Sequence, residues 1–311
     1  MTRQIFIKKE AESEFGKPPE ERTTEELLKY AVVNIDKPKG PTSHQVSDYV
    51  KKLLNVNKAG HSGTLDPQVT GVQPIGIGRA TRITQFLLTA PKEYVCIMHL
   101  HKEVEKSVIQ KIAKEEFTGK IRQKPPIKSA VKRVERTREI YEFEILEVDG
   151  RDVLCRIKCE AGTYIRKICS DFGKKHGFGG HMAELRRTQA GPFTEQDKLV
   201  TLNDLQDALV YYKEGNETYL RYMLQPIENV LGYIPKCWIF DTTIESLTHG
   251  RDLGIPGIAK LENCKKGETV AVMTLKGELV AIGEAAMSGV QANSQEKGIF
   301  VHVKKVFMEA Q

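Results

Sequence analysis

The carboxylate with the most distinctive setting in this chain is Asp66. It stands in Ala59-Gly60-His61-Ser62-Gly63-Thr64-Leu65-Asp66-Pro67, a run that continues through Thr70-Gly71 and Gly76-Ile77-Gly78-Arg79-Ala80-Thr81. Gly60, Gly63 and Gly71 allow backbone angles that other residues resist. Pro67 biases Asp66 towards an extended conformation. An acidic group is thereby presented on a stiff, non-helical turn among small residues, with His61, Arg79 and Arg82 as the positive candidates close by in sequence. That combination suits one exposed carboxylate that must meet a ligand closely. The same residues also make an ordinary surface Asp-Pro turn, and composition alone leaves both readings open.

The elements around this loop follow from pattern. Ala31 to Ile35 is a short apolar strand leading into Asp36-Lys37-Pro38-Lys39-Gly40-Pro41. Thr42 with Gln45 makes a capping box, and the helix it opens carries Val46, Tyr49, Val50, Leu53 and Leu54 on one stripe. After the loop, Arg79 to Leu88 reads as a short helix. Glu93 to His101 alternates as a strand, with Tyr94, Cys96, Met98 and Leu100 on one face. A helix near Val104 to Phe117 turns Val108, Ile109 and Ile112 inward. Residues 140–148 and 151–159 form a hairpin about Asp149-Gly150, a favoured tight-turn pair. Gly162-Thr163-Tyr164-Ile165-Arg166 leads into a helix with Ile165, Ile168, Cys169 and Phe172 inward, and His181 to Thr188 is a further strand. Two helices start near Leu202 and Glu217. From about Tyr233 short strands alternate with Gly-bearing turns, the pattern of a small β module.

Length and composition bound the rest. The 311 residues allow about two domains, and 40% hydrophobic content excludes a disordered chain. A net charge of +6 and a pI of about 8.8 are compatible with a nucleic-acid partner. The most basic segment holds Lys120, Arg122, Lys124, Lys128, Lys132, Arg133, Arg136 and Arg138. The six cysteines form no C-x-x-C pair, so buried free thiols are expected. There is no signal peptide and no apolar run long enough to span a bilayer, which points to a reducing, cytoplasmic setting. Residues 1–30 read as a charged, irregular arm.

Other chemistries find no support. Gly76-x-Gly78 lacks the third glycine and the βαβ setting of a dinucleotide site. No Walker sequence occurs. His99 and His101 share a strand face without a clear third ligand, so no metal is expected.

The ordered run GHSGTLDPxxTG resembles the signature of the pseudouridine synthases that modify the T-loop of transfer RNA, and of the dyskerin family. KPxGxTS near Lys37, Lys92-Glu93-Tyr94, Gly162-Thr163-Tyr164-Ile165-Arg166 and Leu185-Arg186-Arg187 resemble further motifs of that family, and Thr248-His249-Gly250-Arg251-Asp252-Leu253 with Ile255-Pro256-Gly257-Ile258 resembles a PUA domain. His99-Leu-His101, HMAELRRT and the THGxDLxxPGIAKL run are closest to archaeal dyskerin-type catalytic subunits of box H/ACA ribonucleoproteins.

The resemblance implies an α+β fold: a mixed-sheet pseudouridine synthase catalytic domain over 31–232 and a small β-barrel-like PUA domain over 233–311, with the arm of residues 1–30 docked on the latter. It implies isomerisation of uridine to pseudouridine with no cofactor. Asp66 becomes the catalytic residue and Tyr94, Tyr164, Arg166 and Leu185 its support. Arg166 stands at a helix start, a poor place for a cation. An acidic partner would explain it, and pairing would hold the Asp66 carboxyl ionised at neutral pH. His61 would stack where the flipped base leaves space, Lys128, Lys132 and Arg133 would meet RNA phosphates, and His249 and Gly250 would hold RNA in the PUA domain. The implied partners are a box H/ACA guide RNA, substrate ribosomal or transfer RNA, and small ribonucleoprotein subunits docked on the catalytic domain, with no membrane. Two alternatives stay open: a guide-independent transfer-RNA T-loop synthase, and a non-catalytic RNA-binding scaffold.

Overall fold

A computed structural model of the protein describes residues 3–125 and 132–309. Packing divides the chain into two compact units, one of residues 32–223 and one joining residues up to Ala31 to those from Leu224 onward.

The larger unit is built on a mixed sheet. Its strands run in the order Tyr30–Lys37, Thr70–Gly78, Gly180–Ala190, Lys92–Leu100, Asp152–Cys159, Arg136–Asp149 and Gly119–Gln123. Thr70–Gly78 and Gly180–Ala190 pair in parallel, and the pairs from Gly180–Ala190 to Gly119–Gln123 are antiparallel. The Asp149-Gly150 turn forms as expected, with Gly150 at φ 54°. Cys96, Met98 and Leu100 face a core shared with Ile109, Ile112, Phe143, Ile165, Ile168, Cys169 and Phe172. Helices Lys106–Glu116 and Ile165–Lys175 supply one side of that core. The parallel junction is close. A Cβ on Gly71 would lie 2.2 Å from the Arg187 carbonyl oxygen, and Gly71 sits at φ +105°, so only glycine lets the two strands approach there.

Several expectations are corrected by packing. Tyr49 and Val108 are 41% exposed. Tyr49 turns outward to bond Gln206 through its hydroxyl at 3.0 Å, and the Val108 helix buries Ile109, Ile112 and Ala113 instead. The segment Arg79–Leu88 is two elements, a 3-10 turn Arg79–Arg82 and a helix Thr84–Thr89.

The smaller unit holds a seven-stranded sheet in the order Ile5–Ile7, Ile258–Glu262, Lys236–Ile239, Thr269–Met273, Leu279–Ala285, Ile299–Val306 and Leu253–Gly254. Helix Asp241–Thr248 packs on this core through Ile244 and Leu247. Residues 3–30 are only partly irregular. Ile5–Ile7 pairs antiparallel with Ile258–Glu262, and Thr24–Lys29 is a helix opened by a Thr23–Glu26 capping box. Arg22, 7% exposed, makes a two-pronged pair with Glu228 at 2.8 and 2.9 Å. The sequence signal for the helix was the Thr-x-x-Glu pattern at 23–26. The strand is only three residues long, with Ile5 and Ile7 more than half exposed and Phe6 packed inward.

Candidate active site

Asp66 lies in the loop between two strands that pair with each other, Ala59–His61 and Thr70–Gly78. The Asp66 carbonyl accepts from the Val69 N–H at 3.0 Å, and the Pro67 carbonyl accepts from the Gly40 N–H at 2.8 Å. Lys37 is fully buried and donates through Nζ to the carbonyls of Val69 at 2.8 Å, Pro38 at 2.9 Å and Pro67 at 3.2 Å. Burial, and then the nearby Arg187, pull its pKa down. The loop backbone is therefore immobilised, while the Asp66 side chain remains 52% exposed.

The cation beside Asp66 is Arg166, one hundred residues on, whose Nη2 donates to Asp66 Oδ2. Arg166 sits in the first turn of helix Ile165–Lys175, where the helix dipole disfavours it and the carboxylate compensates. The helix start is fixed by Gln123, an uncharged residue within the basic segment. Its amide accepts from the Tyr164 N–H at 3.1 Å and donates to the Tyr164 carbonyl at 3.2 Å. Tyr164 caps the helix and is half-buried.

Tyr94 is half-buried on strand Lys92–Leu100, in register with Arg187. Arg187 is 1% exposed. Its Nε donates to the Val72 carbonyl at 2.7 Å, and both terminal nitrogens donate to the Gly63 carbonyl at 3.3 Å. Its charge also interacts with the Tyr94 phenol, opposite it across the strands. Burial pushes the Tyr94 pKa up, and Arg187 offsets only part of that, so the phenol is protonated at neutral pH. Arg187 joins the Asp66 loop, the strand behind it and Tyr94, yet sequence reasoning passed over it in favour of its neighbour Leu185. Leu185 pairs with Cys96 across the strands and packs on the core. His61 is half-buried, and burial, then Arg187 and His44, lower its pKa. The Gly63 N–H donates to His61 Nδ1 at 3.3 Å, which leaves the ring neutral with its hydrogen on Nε2.

Comparison with known proteins places this arrangement. Residues 51–165 match the N-terminal domain of TruB family pseudouridylate synthases, 166–232 the tRNA pseudouridylate synthase B C-terminal domain, 235–307 the PUA domain and 2–47 the DKCLD (NUC011) domain. The chain is 55% identical over 298 residues to a probable tRNA pseudouridine synthase B of Methanothermobacter thermautotrophicus, covering 95% of this chain and 91% of that protein.

The chain belongs to the TruB family of pseudouridylate synthases.

A probable tRNA pseudouridine synthase B of Pyrococcus furiosus is 51% identical over 311 residues, covering 98% of this chain and 91% of that one. Among solved structures, a chain from the crystal structure of a Cbf5-Nop10-Gar1 complex superposes with a TM-score of 0.94 at 49% identity, covering 100% of this chain and 95% of that one. A chain from an H/ACA RNP bound to a substrate RNA containing 2'-deoxyuridine gives 0.93 at 47%, covering 100% and 96%.

In this TruB-family synthase a second buried lysine supports the Tyr94 strand. Lys92 donates through Nζ to the carbonyls of Leu87 at 2.5 Å, Ala90 at 2.6 Å and Leu88 at 3.1 Å. Burial first, then Arg187, brings its pKa from 10.5 down to about 8. Between those values the unfolded chain holds the extra proton, so stability rises with pH across that window. Relative to Lys92→Met, the native chain is expected to gain about 3 kcal/mol from pH 8 to 10.5. Urea unfolding at each pH measures this, and a pH-independent difference between the two proteins would show that Lys92 does not titrate there.

The remaining candidates lie elsewhere on the synthase. Lys132 and Arg133 are exposed, with Arg133 Nε donating to the Pro125 carbonyl at 3.3 Å. Lys128 lies outside the described residues. In the smaller unit His249 is exposed, its Nδ1 2.8 Å from the Glu245 carbonyl, and Gly250 sits at φ +82° with open space where a Cβ would stand. His99 and His101 gain a third imidazole from His181. Ring centroids are 5.2 to 6.3 Å apart, and His99 Nδ1 lies 2.7 Å from Asp152 Oδ1. No group of three or more His, Cys, Asp or Glu among the described residues is arranged to hold a metal. No helix of the described residues is long and apolar enough to cross a membrane.

Proposed function

We propose that this synthase is the catalytic subunit of a box H/ACA-type ribonucleoprotein. It converts uridine to pseudouridine at positions in ribosomal RNA, and in transfer RNA, that a guide RNA selects by pairing. The observation that carries this reading is the likeness over the whole chain, at a TM-score of 0.94, to a chain crystallised in a Cbf5-Nop10-Gar1 complex. Small subunits of that kind dock on the catalytic domain, and the guide end is held by the module over 233–311 through His249 and Gly250. Six free, buried cysteines suit a reducing compartment such as the cytoplasm.

In this reading Asp66 is the reactive group. It attacks the ribose at C1′, or removes a ribose proton to open a glycal path, and the C1′–N1 bond breaks. The uracil turns in place, a carbon–carbon bond forms from C5 to C1′, the C5 proton is lost to solvent and N1 takes up a proton. Arg166 orients the carboxylate through its hydrogen bond. Tyr94, Tyr164 and Leu185 line the pocket, and His61 stacks where the flipped base has left. Lys128, Lys132 and Arg133 take phosphates. Extracting the uridine from its stack costs a few kcal/mol, and a guide that leaves the target unpaired lowers that cost.

A second reading has its own support, since the relatives are named as tRNA pseudouridine synthases. It places the same chemistry on a free T-loop. Tritium release from RNA labelled at uridine C5 separates the two. Release that requires the guide and partner proteins supports the ribonucleoprotein. Release from a bare T-loop moves target choice to the protein. Tight RNA binding with no release under either condition would leave only a scaffold.

A further inference from the structure

Leu65, the residue before Asp66, is only 4% exposed. Its N–H donates to Ser43 Oγ at 2.7 Å, and its carbonyl accepts from the same hydroxyl at 3.2 Å. One side chain thus satisfies both backbone groups of Leu65, as a neighbouring strand would elsewhere. Ser43 is itself fully buried. It opens helix Ser43–Leu53, whose start is set by the Thr42–Gln45 capping box. Its carbonyl accepts from Gln73 Nε2 at 3.1 Å and from Ser47 Oγ at 3.0 Å, and Gln73 lies on the strand just past the loop. On the far side of Asp66, Pro67 is held by Gly40 and Lys37. The backbone on both sides of Asp66 is therefore gripped by the segment 37–43, while the carboxylate reaches out to Arg166.

We infer that Ser43 is a positioning residue for the reaction: its hydroxyl fixes the Leu65–Asp66 peptide and so sets where the Asp66 carboxylate stands. This rests on the reading of Asp66 as the reactive group. A hydroxyl donates and accepts at once, a thiol does both weakly, and a methyl does neither. Ser43→Ala leaves both Leu65 groups without a partner where water does not reach, and the loop shifts to find new ones. A displacement near 1 Å slows chemistry about 10²-fold. Binding of RNA draws on other surfaces and is retained.

The test compares Ser43→Ala, Ser43→Cys, Ser47→Ala and Asp66→Asn in the full chain, on whichever RNA supports native turnover. Ser47→Ala removes a buried hydroxyl from the same helix without touching Leu65. The expected result is a kcat about 10²-fold lower for Ser43→Ala, an intermediate loss for Ser43→Cys, KM within about threefold of native, and native kcat for Ser47→Ala. A Ser43→Ala kcat no lower than that of Ser47→Ala overturns the inference. So does a rise in KM matching the fall in kcat, or a Ser43→Cys rate within twofold of native if Ser43→Ala does not fold. Asp66→Asn separates the two levels: if it turns over normally, the reading of Asp66 is wrong and the inference falls with it. If it is inactive while Ser43→Ala is normal, only the inference fails.

Discussion

Asp66→Asn is expected to lower turnover at least ~10⁴-fold while RNA affinity stays within a few-fold of native. The substitution keeps the shape of the side chain and an oxygen for Arg166 to donate to. It removes the negative charge and the lone pairs that can attack carbon or take a proton. Little stability is at stake, because both partners are about half exposed and an exposed ion pair contributes roughly 0–1 kcal/mol. Single-turnover tritium release at saturating enzyme reports the chemical step, and filter binding reports affinity. A variant within tenfold of native turnover would remove Asp66 from the chemistry. A variant that no longer binds RNA would recast it as a binding group.

Arg187→Met is expected to slow turnover about 10²-fold and to destabilise the chain by about 2–4 kcal/mol. Methionine follows the arginine stem but donates nothing. The carbonyls of Val72 and Gly63 lose the donors that now satisfy them. Each buried group left unpaired costs about 1–3 kcal/mol, and relief from burying a charge offsets part of this. No carboxylate pairs with Arg187 among the described residues, so no second charge is stranded. Arg187→Lys is not a rescue, because one ammonium does not reproduce a planar fork that serves two carbonyls. Thermal unfolding and kcat measured side by side decide the matter. Native kcat in a destabilised protein would make Arg187 a residue of the fold alone.

The parts of this protein that were legible in sequence are those set by a few neighbouring residues. The Thr42–Gln45 capping box, the Asp149-Gly150 hairpin and the inward stripe Ile165, Ile168, Cys169 and Phe172 all stand where local pattern put them. The Asp66 loop was legible for the same reason, since glycines and a proline restrict backbone angles wherever they occur. Tyr49 and Val108 were misplaced because a helical stripe has an edge, and only the neighbouring elements decide which edge residues are covered.

The cation beside Asp66 shows the limit of local reading. Sequence proximity offered His61, Arg79 and Arg82, and motif resemblance offered Arg166. The fold brings Arg166 across from a helix one hundred residues away. Arg187, Lys37 and Lys92 fall in the motifs named above, but by residue type alone they look like solvated charges, as most Arg and Lys are. In the folded chain all three are buried, with their donors spent on backbone carbonyls around the loop and the Tyr94 strand. Ser43 ends the KPxGxTS run and Gln123 lies in the basic segment, yet neither shows in sequence which groups it bonds, for a serine or a glutamine in isolation bonds water equally well. By itself, then, the sequence determined the helices, the hairpin and the chemical type of the loop, because backbone sterics and side-chain periodicity act over a few residues. Which charges are buried, and which peptide groups they hold, was decided only by tertiary structure. A hydrogen bond is worth little while water competes for it, and it becomes selective once strands from distant parts of the chain have closed around it.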